Sequence, residues 1–325
     1  MTAISVGSGS QAAPNGVAGG ASADDLAIRT ELPANPHRPQ VYLAYHGSEG
    51  LLGNNDHQWP FVRQHLDGVW GNPFSPAGVG TDGSLNRTIE LTSKLRTRKL
   101  IVEHPIANGA GCEGFRDDWY WAEVERRSNI RYDRVAAAVY AGQNPDCWGP
   151  AGGITAGFDT YRRQGYDTVY TLFQPQNLST QVNAGAFPTI RPGSAGDVAY
   201  RNSGGVVLEC PIDACTDPTF GAPFFQAIQE AHARNVPFVW FTGFSTSYGI
   251  GRSGWLQRVQ HQYNAVAAMG LWRPDDAIVL INYDGYRALP ERNADGSPAD
   301  TTAGILAWLL EQRPVQTLCP DRVSC

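Results

Sequence analysis

Glu103, Glu209 and Asp284 stand out as candidates for chemistry because each closes a short apolar run. Lys99–His104 reads KLIVEH, Val206–Glu209 reads VVLE and Ala277–Asp284 reads AIVLINYD. Two more runs end in polar residues, Val41–His46 (VYLAYH) at a histidine and Val169–Gln174 (VYTLFQ) at an amide. Two carboxyl groups facing each other across a cleft suffice for acid and base work on a glycosidic bond. One protonates the leaving oxygen, and the other attacks the sugar or activates water. Their pKa values must then be driven apart by unequal surroundings. The competing role for each acid is structural, as an arginine partner or a helix cap at the rim.

The elements that must position these residues alternate along the chain. Strands are predicted at 41–46, 68–74, 99–104, 134–140, 167–174, 205–209, 237–242 and 277–284, with helices near 57–66, 86–97, 117–129, 154–164, 224–235, 254–270 and 300–312. The run 134–140 holds three alanines and suits a helix equally well. Gly165 fits a helix C′ position, and Asp300 is the expected N-cap of the last helix. Strands alternating with helices imply a parallel sheet. HGSEG (46–50) is not a G-x-G-x-x-G turn and no P-loop occurs, which weakens a doubly wound alternative. The expected fold class is therefore α/β, a (β/α)8 TIM-type barrel over 38–325, preceded by a flexible Gly/Ala/Ser-rich segment at 1–37. Closure would bring the strand ends onto one face, with Glu103 and Glu209 on opposing sides of the mouth. Asn282 shares strand parity with Asp284, and both would join them if that face looks inward. A regular strand cannot turn both Glu103 and His104 inward.

Composition removes whole classes of function. The 325 residues carry a net charge of −6 with no basic run, which argues against nucleic acid as a partner. No stretch of about 18 apolar residues occurs, so no membrane span is expected. Residues 1–30 lack the apolar side chains needed to offset ordering entropy, and they lack a signal-peptide core. A processed secreted N-terminus is the favoured expectation for them, with an intracellular leader as the alternative. Six cysteines suggest three local bridges, Cys112–Cys147, Cys210–Cys215 and Cys319–Cys325, among the connectivities open to them. Such staples fit a secreted or periplasmic location. Zinc is not expected, because no C-x2-C occurs.

In its arrangement of elements, the chain from Val41 to Leu310 resembles the secreted (β/α)8-barrel glycoside hydrolases. In the largest clan of these enzymes the acids end the fourth and seventh strands, and an asparagine precedes the acid. Here Val102 precedes Glu103, and the acids end the third and sixth predicted strands. The resemblance implies a carbohydrate substrate. Their strand-end positions make Glu103 and Glu209 the expected catalytic pair, with Asp284 and His46 orienting substrate or tuning them. No cofactor is expected, and the oligomeric state stays open. Nine Trp and thirteen Tyr favour a sugar ligand, since flat rings offer apolar faces and polar edges. The expected substrate-binding set is His46, Glu49, Asn72, His104, Asp118, Trp119, Gln174, Asn177, Trp240 and Asn282. Trp240, Trp272 and Trp308 fit core packing as well.

Two other functions compete. His46 and His104 could act as base and acid in phosphodiester cleavage, as in barrel phospholipases and glycerophosphodiesterases. That chemistry needs a cation, and the spacing of Glu49 and Asp284 gives a calcium or magnesium site no support. A carbohydrate-binding barrel without turnover would keep the pocket and the aromatics. Serine chemistry has no support, since GRSGW (251–255) is not a nucleophile elbow.

Overall fold

The computed structural model describes residues 39–44, 66–71, 74–75, 78–79, 86, 89–90, 93, 99–104, 118–129, 131–140, 161–166, 168–173, 204–209, 218–244, 254–282, 287 and 290–312. The segment 1–37 and all six cysteines lie outside them, and with them the expected bridges.

Ten strands are described: β1 (Gln40–Ala44), β2 (Gly68–Gly71), β3 (Phe74–Ser75), β4 (Gly78–Val79), β5 (Lys99–His104), β6 (Asp133–Tyr140), β7 (Thr168–Phe173), β8 (Gly205–Glu209), β9 (Phe238–Phe244) and β10 (Ala277–Asn282). β3 and β4 pair antiparallel as a small hairpin beyond the end of β2. The other eight form a closed barrel in the order β1, β10, β9, β8, β7, β6, β5, β2, and every ladder is parallel. Among the described residues four helices follow these strands: α1 (Asp118–Ser128) after β5, α2 (Pro218–Ala233) after β8, α3 (Trp255–Ala268) after β9 and α4 (Thr302–Glu311) after β10. Gly165, at φ +89°, ends a further helical turn at 161–163, as expected of a C′ glycine. The alanine-rich run 134–140 lies within a strand. Its register skips at Val135, so β6 carries one extra residue against β5. Among the described residues no helix is long and apolar enough to cross a membrane.

Strands buried on both faces read as continuous apolar runs rather than alternating ones. Trp240 faces outward from β9 and packs against Phe224 of α2, with ring centroids 5.8 Å apart. The inward set is one cluster: Tyr42, Ala44, Trp70, Ile101, Tyr170, Leu172, Val207, Val239, Phe241, Ala277, Val279 and Ile281.

The pairing fixes the stagger of the wall. One path runs Glu103–Ala138–Tyr170–Gly205. The complementary path runs Glu209–Phe241–Val279–Tyr42–Gly68 and reaches β5 at Lys99, one residue before the Val69–Leu100 pair. The two paths differ by four residues on β8 and four on β5, so a full circuit shifts the register by about eight, the shear of an eight-stranded α/β barrel. One residue of shift per strand sorts the interior into layers drawn from alternate strands. The bottom layer is small, with Gly68, Gly205 and Ala277. Tyr42 and Tyr170 lie above it, and their rings fill the space the glycines leave. A Cβ on Gly68 would sit 2.3 Å from the Tyr42 ring, and one on Gly205 would sit 2.5 Å from the Tyr170 ring.

Two buried aspartates lock the amino ends of the strands. Asp67, just before β2, accepts from the Val41 N–H at 2.8 Å, while its own N–H donates to Val41 O at 2.9 Å. Asp276, just before β10, accepts from the N–H groups of Phe238 at 2.8 Å and Arg273 at 2.7 Å, and its carbonyl accepts from Gln40 N–H at 2.7 Å. His232 Nε2 of α2 lies 2.9 Å from Asp276 Oδ1. One carboxylate thus joins the starts of β9 and β10 to α2, and its backbone carries the link on to β1.

Asp276→Ala leaves the buried Phe238 N–H, the Arg273 N–H and His232 without their acceptor and should cost about 3 kcal/mol, read as a fall in the urea midpoint; a change within about 0.5 kcal/mol would contradict the clamp. Burial, helped by the charges of Asp275 and Asp276, pushes the Tyr170 phenol above its ordinary range. The folded chain therefore keeps this proton after the unfolded chain begins to lose it, and stability drains as pH rises above about 10. Tyr170→Phe should flatten that alkaline decline in midpoints measured from pH 8 to 11, and a slope equal to the wild type would refute the assignment.

Candidate active site at the carboxyl ends of the strands

The stagger decides which strand-end residues share a level. Ala44, Glu103, Leu172 and Phe241 hold the register positions of one interior layer, on β1, β5, β7 and β9. Glu209 and Ile281 belong to the next layer outward, on β8 and β10. Glu103 and Glu209 are therefore one residue step apart in height, roughly 3 Å. Their strands stand three places apart round a ring of eight.

Glu209 continues the inward face of Val207 and pairs with Phe241, itself an inward residue. Its side chain is buried, with a relative exposure of 7%. Beneath this level the cylinder is filled. The rings of Trp70 and Phe241 meet across the interior with centroids 4.9 Å apart, and both are buried. The carboxyl group of Glu209 thus lies at the margin between a solid aromatic floor and the mouth, largely shielded from water. Such shielding strengthens every charge interaction a reacting group makes.

The other expected site residues divide. His104 ends β5 one position beyond Glu103 in an unbroken pairing with β6, so it alternates to the opposite register face. Asp118 and Trp119 open α1, in the connection leaving β5. Two expectations need correction. Trp240 is buried completely under α2 and cannot meet a ligand in the mouth. Asn282 follows the inward Ile281 and so turns outward, where its Nδ2 donates to Thr302 Oγ1 of α4 at 3.0 Å. His46, Glu49, Asn72, Gln174, Asn177 and Asp284 lie outside the described residues. Phe241 and Gly243, missed in the sequence reading, hold inward positions on β9. The period of two within PFVWFTGF, phased on Val239, is the signal that marks them.

Asp300 also departs from expectation. The N-cap of α4 is Thr301, whose Oγ1 accepts from Gly304 N–H at 3.0 Å. Asp300 instead caps α3, accepting from Gly254 N–H at 2.7 Å and Leu256 N–H at 2.9 Å. The α3 N-cap is Gly254, which has no side chain to do this and adopts φ +79°. The positive end of α3 is thereby already matched by a carboxylate of the chain itself. An anion such as a phosphate would meet repulsion there. Among the described residues no group of three or more His, Cys, Asp or Glu gathers at metal-binding distance.

No family model and no curated protein sequence matches the chain. Several solved structures align with the chain at low similarity. A GH113 β-1,4-mannanase complex matches at 10% identity and TM-score 0.46, over 84% of this chain and 98% of that one. The amino-terminal domain of a putative aldolase from Bacteroides vulgatus matches at 10% identity and TM-score 0.47, over 88% and 83%. The carboxyl transferase domain of Rhizobium etli pyruvate carboxylase with pyruvate and biocytin matches at 13% identity and TM-score 0.42, over 86% of this chain and 48% of that one. The chain thus spans about half the length of that carboxyl transferase chain.

Replacing Asp300 by Ala removes a charged cap from α3 and should lower stability by about 1–2 kcal/mol. Asp300→Asn, which keeps one acceptor, should recover part of that loss in thermal unfolding. Equal midpoints for Asp300→Ala and wild type would show that the cap is not needed.

Proposed function

We propose that this chain is a glycoside hydrolase acting on a poly- or oligosaccharide, with Glu103 and Glu209 as its pair of carboxylates. The observation that carries the reading is their level. Two acids on opposing arcs of a closed parallel cylinder hold adjacent interior layers at the carboxyl ends of the strands, over a packed floor. In α/β barrels that end is where catalytic groups collect. One carboxyl group protonates the glycosidic oxygen as the bond to the anomeric carbon breaks. The other attacks that carbon, or takes a proton from the water that does. Because they lie about one step apart in height, both can address a single bond laid across the mouth.

The phosphodiesterase alternative is weakened from two sides. His104 alternates away from the Glu103 position, and the α3 N-terminus is occupied by Asp300. Complete eightfold strand–helix alternation, export and three local disulfides belong to the same reading, on the strength of the sequence pattern and cysteine spacing. Asp284 and His46 remain proposed as groups that orient the substrate or tune the acids.

The test is release of reducing ends from a panel of neutral polysaccharides, including β-mannan, xylan and β-glucan, by the full chain. Glu103→Gln and Glu209→Gln should each lower kcat/KM by about a thousandfold or more while unfolding midpoints hold within a few degrees. Turnover that survives both substitutions would refute the pair. Sugar binding with no turnover in the wild type would establish a binding barrel instead.

A further inference from the structure

Six arginines gather at the amino ends of β6 and β7, the end of the barrel opposite the candidate active site. Arg126 and Arg127 lie in the last turn of α1. Arg131 precedes β6, and Arg134 is its second residue. Arg162 and Arg163 sit on the helical turn ahead of β7. Hydrogen bonds join these pieces into one surface. Tyr132 N–H donates to a Glu125 carboxylate oxygen at 3.1 Å, which ties α1 to the start of β6. Arg134 Nη1 donates to Gln164 O at 2.6 Å, across 30 residues of sequence. All but Arg134 are exposed.

The acids of this sector do not match its cations. Glu123 holds Arg126 at 2.7 Å, and Glu125 accepts from Tyr132. Lys99 and Asp133 stand opposite each other on β5 and β6 and offset one another. Among the described residues of the sector, six arginines against Glu123 and Glu125 leave a surplus of four positive charges, in a chain whose net charge is −6. On the far arc of the same end, Arg273 is held by Asp275 and Asn235. Each helix end favours its own pair of cations. Bringing both pairs beside Arg131 and Arg134 raises the positive field of the whole sector, at a cost in self-repulsion.

We infer that this sector is a docking surface for an acidic polysaccharide, a glycan whose sugars carry carboxylate groups. Arginine outnumbers lysine six to one here, and its planar fork pairs with a carboxylate through two parallel hydrogen bonds, which lysine cannot do. Acids lie among the cations, so the surface suits spaced charges better than the dense phosphates of nucleic acid. A membrane-bound face adds apolar anchors. Among the described residues the exposed large apolar side chain is Met269, ahead of β10 and four places round the ring from β6. The six residues of β5 set the two ends about 20 Å apart, so a glycan held here leaves the mouth clear. The inference concerns binding alone and does not rest on the glycosidase reading.

The experiment measures binding of the wild-type full chain to polygalacturonate, alginate and hyaluronate at about 50 mM salt, where charges are little screened. Phosphatidylserine vesicles and duplex DNA are measured beside them. At least one of the acidic polysaccharides should bind, and raising the salt to about 500 mM should weaken it steeply. Joint replacement of Arg127, Arg131, Arg162 and Arg163 by Gln should lower that affinity about tenfold or more. Lysine at the same positions should restore only part of it, and Arg273→Gln should stay within about twofold of the wild type. Exposed substitutions of this kind leave stability nearly unchanged, which thermal unfolding checks, and the pair Arg131→Gln with Arg163→Gln serves if the fourfold variant does not fold. No binding by the wild type overturns the inference, as does equal binding by the glutamine variants. Tighter binding to vesicles or DNA than to every polysaccharide overturns it too, and full recovery by lysine removes the carboxylate fork on which the choice of ligand stands.

Discussion

Closure of the parallel wall, with a shift of one residue per strand, is the constraint on which everything else in this molecule depends. Alternation alone decides whether a residue faces in or out. The stagger decides at what height it faces in. Together they set Tyr42 and Tyr170 over glycines, Trp70 against Phe241, and Glu209 just above that floor. In an open sheet, β5 and β8 would simply be strands separated by two others. The closed ring brings residues a hundred positions apart toward one small opening.

The barrel uses its buried acids differently at its two ends. At the amino ends of the strands, Asp67 and Asp276 are met by backbone N–H groups, and His232 joins Asp276. Removing any partner there leaves a buried group uncompensated, which is why such carboxylates hold a structure together. At the carboxyl ends, Glu209 stands over aromatic rings at the edge of the enclosed interior. Asp300 works near the loops that follow the strands, satisfying the start of a helix whose own N-cap is a glycine. The glycines at the amino ends of the strands make room for protein rings.

Much of the scaffold was legible in the chain. Lys99–His104 and Gly205–Glu209 are strands over the expected residues, because β-branched runs bounded by breakers leave few alternatives. Asp133–Tyr140 is a strand despite three central alanines, since pairing on both sides with β5 and β7 outweighs their mild helix preference. Asn282 faces away from the interior, and Trp240 took the core packing that was its alternative to ligand binding. A strand buried on both faces has no polar alternation from which to take its phase, so its facing must come from its neighbours. Asp300 misled for a related reason. It precedes a helix in sequence, yet the vacant donors it satisfies belong to another helix 44 residues earlier in the chain.

The sequence by itself determined the period of the elements, their order, and the acids that end the third and sixth barrel strands. Those follow from local chemistry: apolar runs of strand length, and turn residues between them. The tertiary structure decided what local chemistry cannot. It set the register between neighbouring strands, and through it the face and height of each side chain. Register is a property of pairs of strands, summed round a ring, and no single segment carries it.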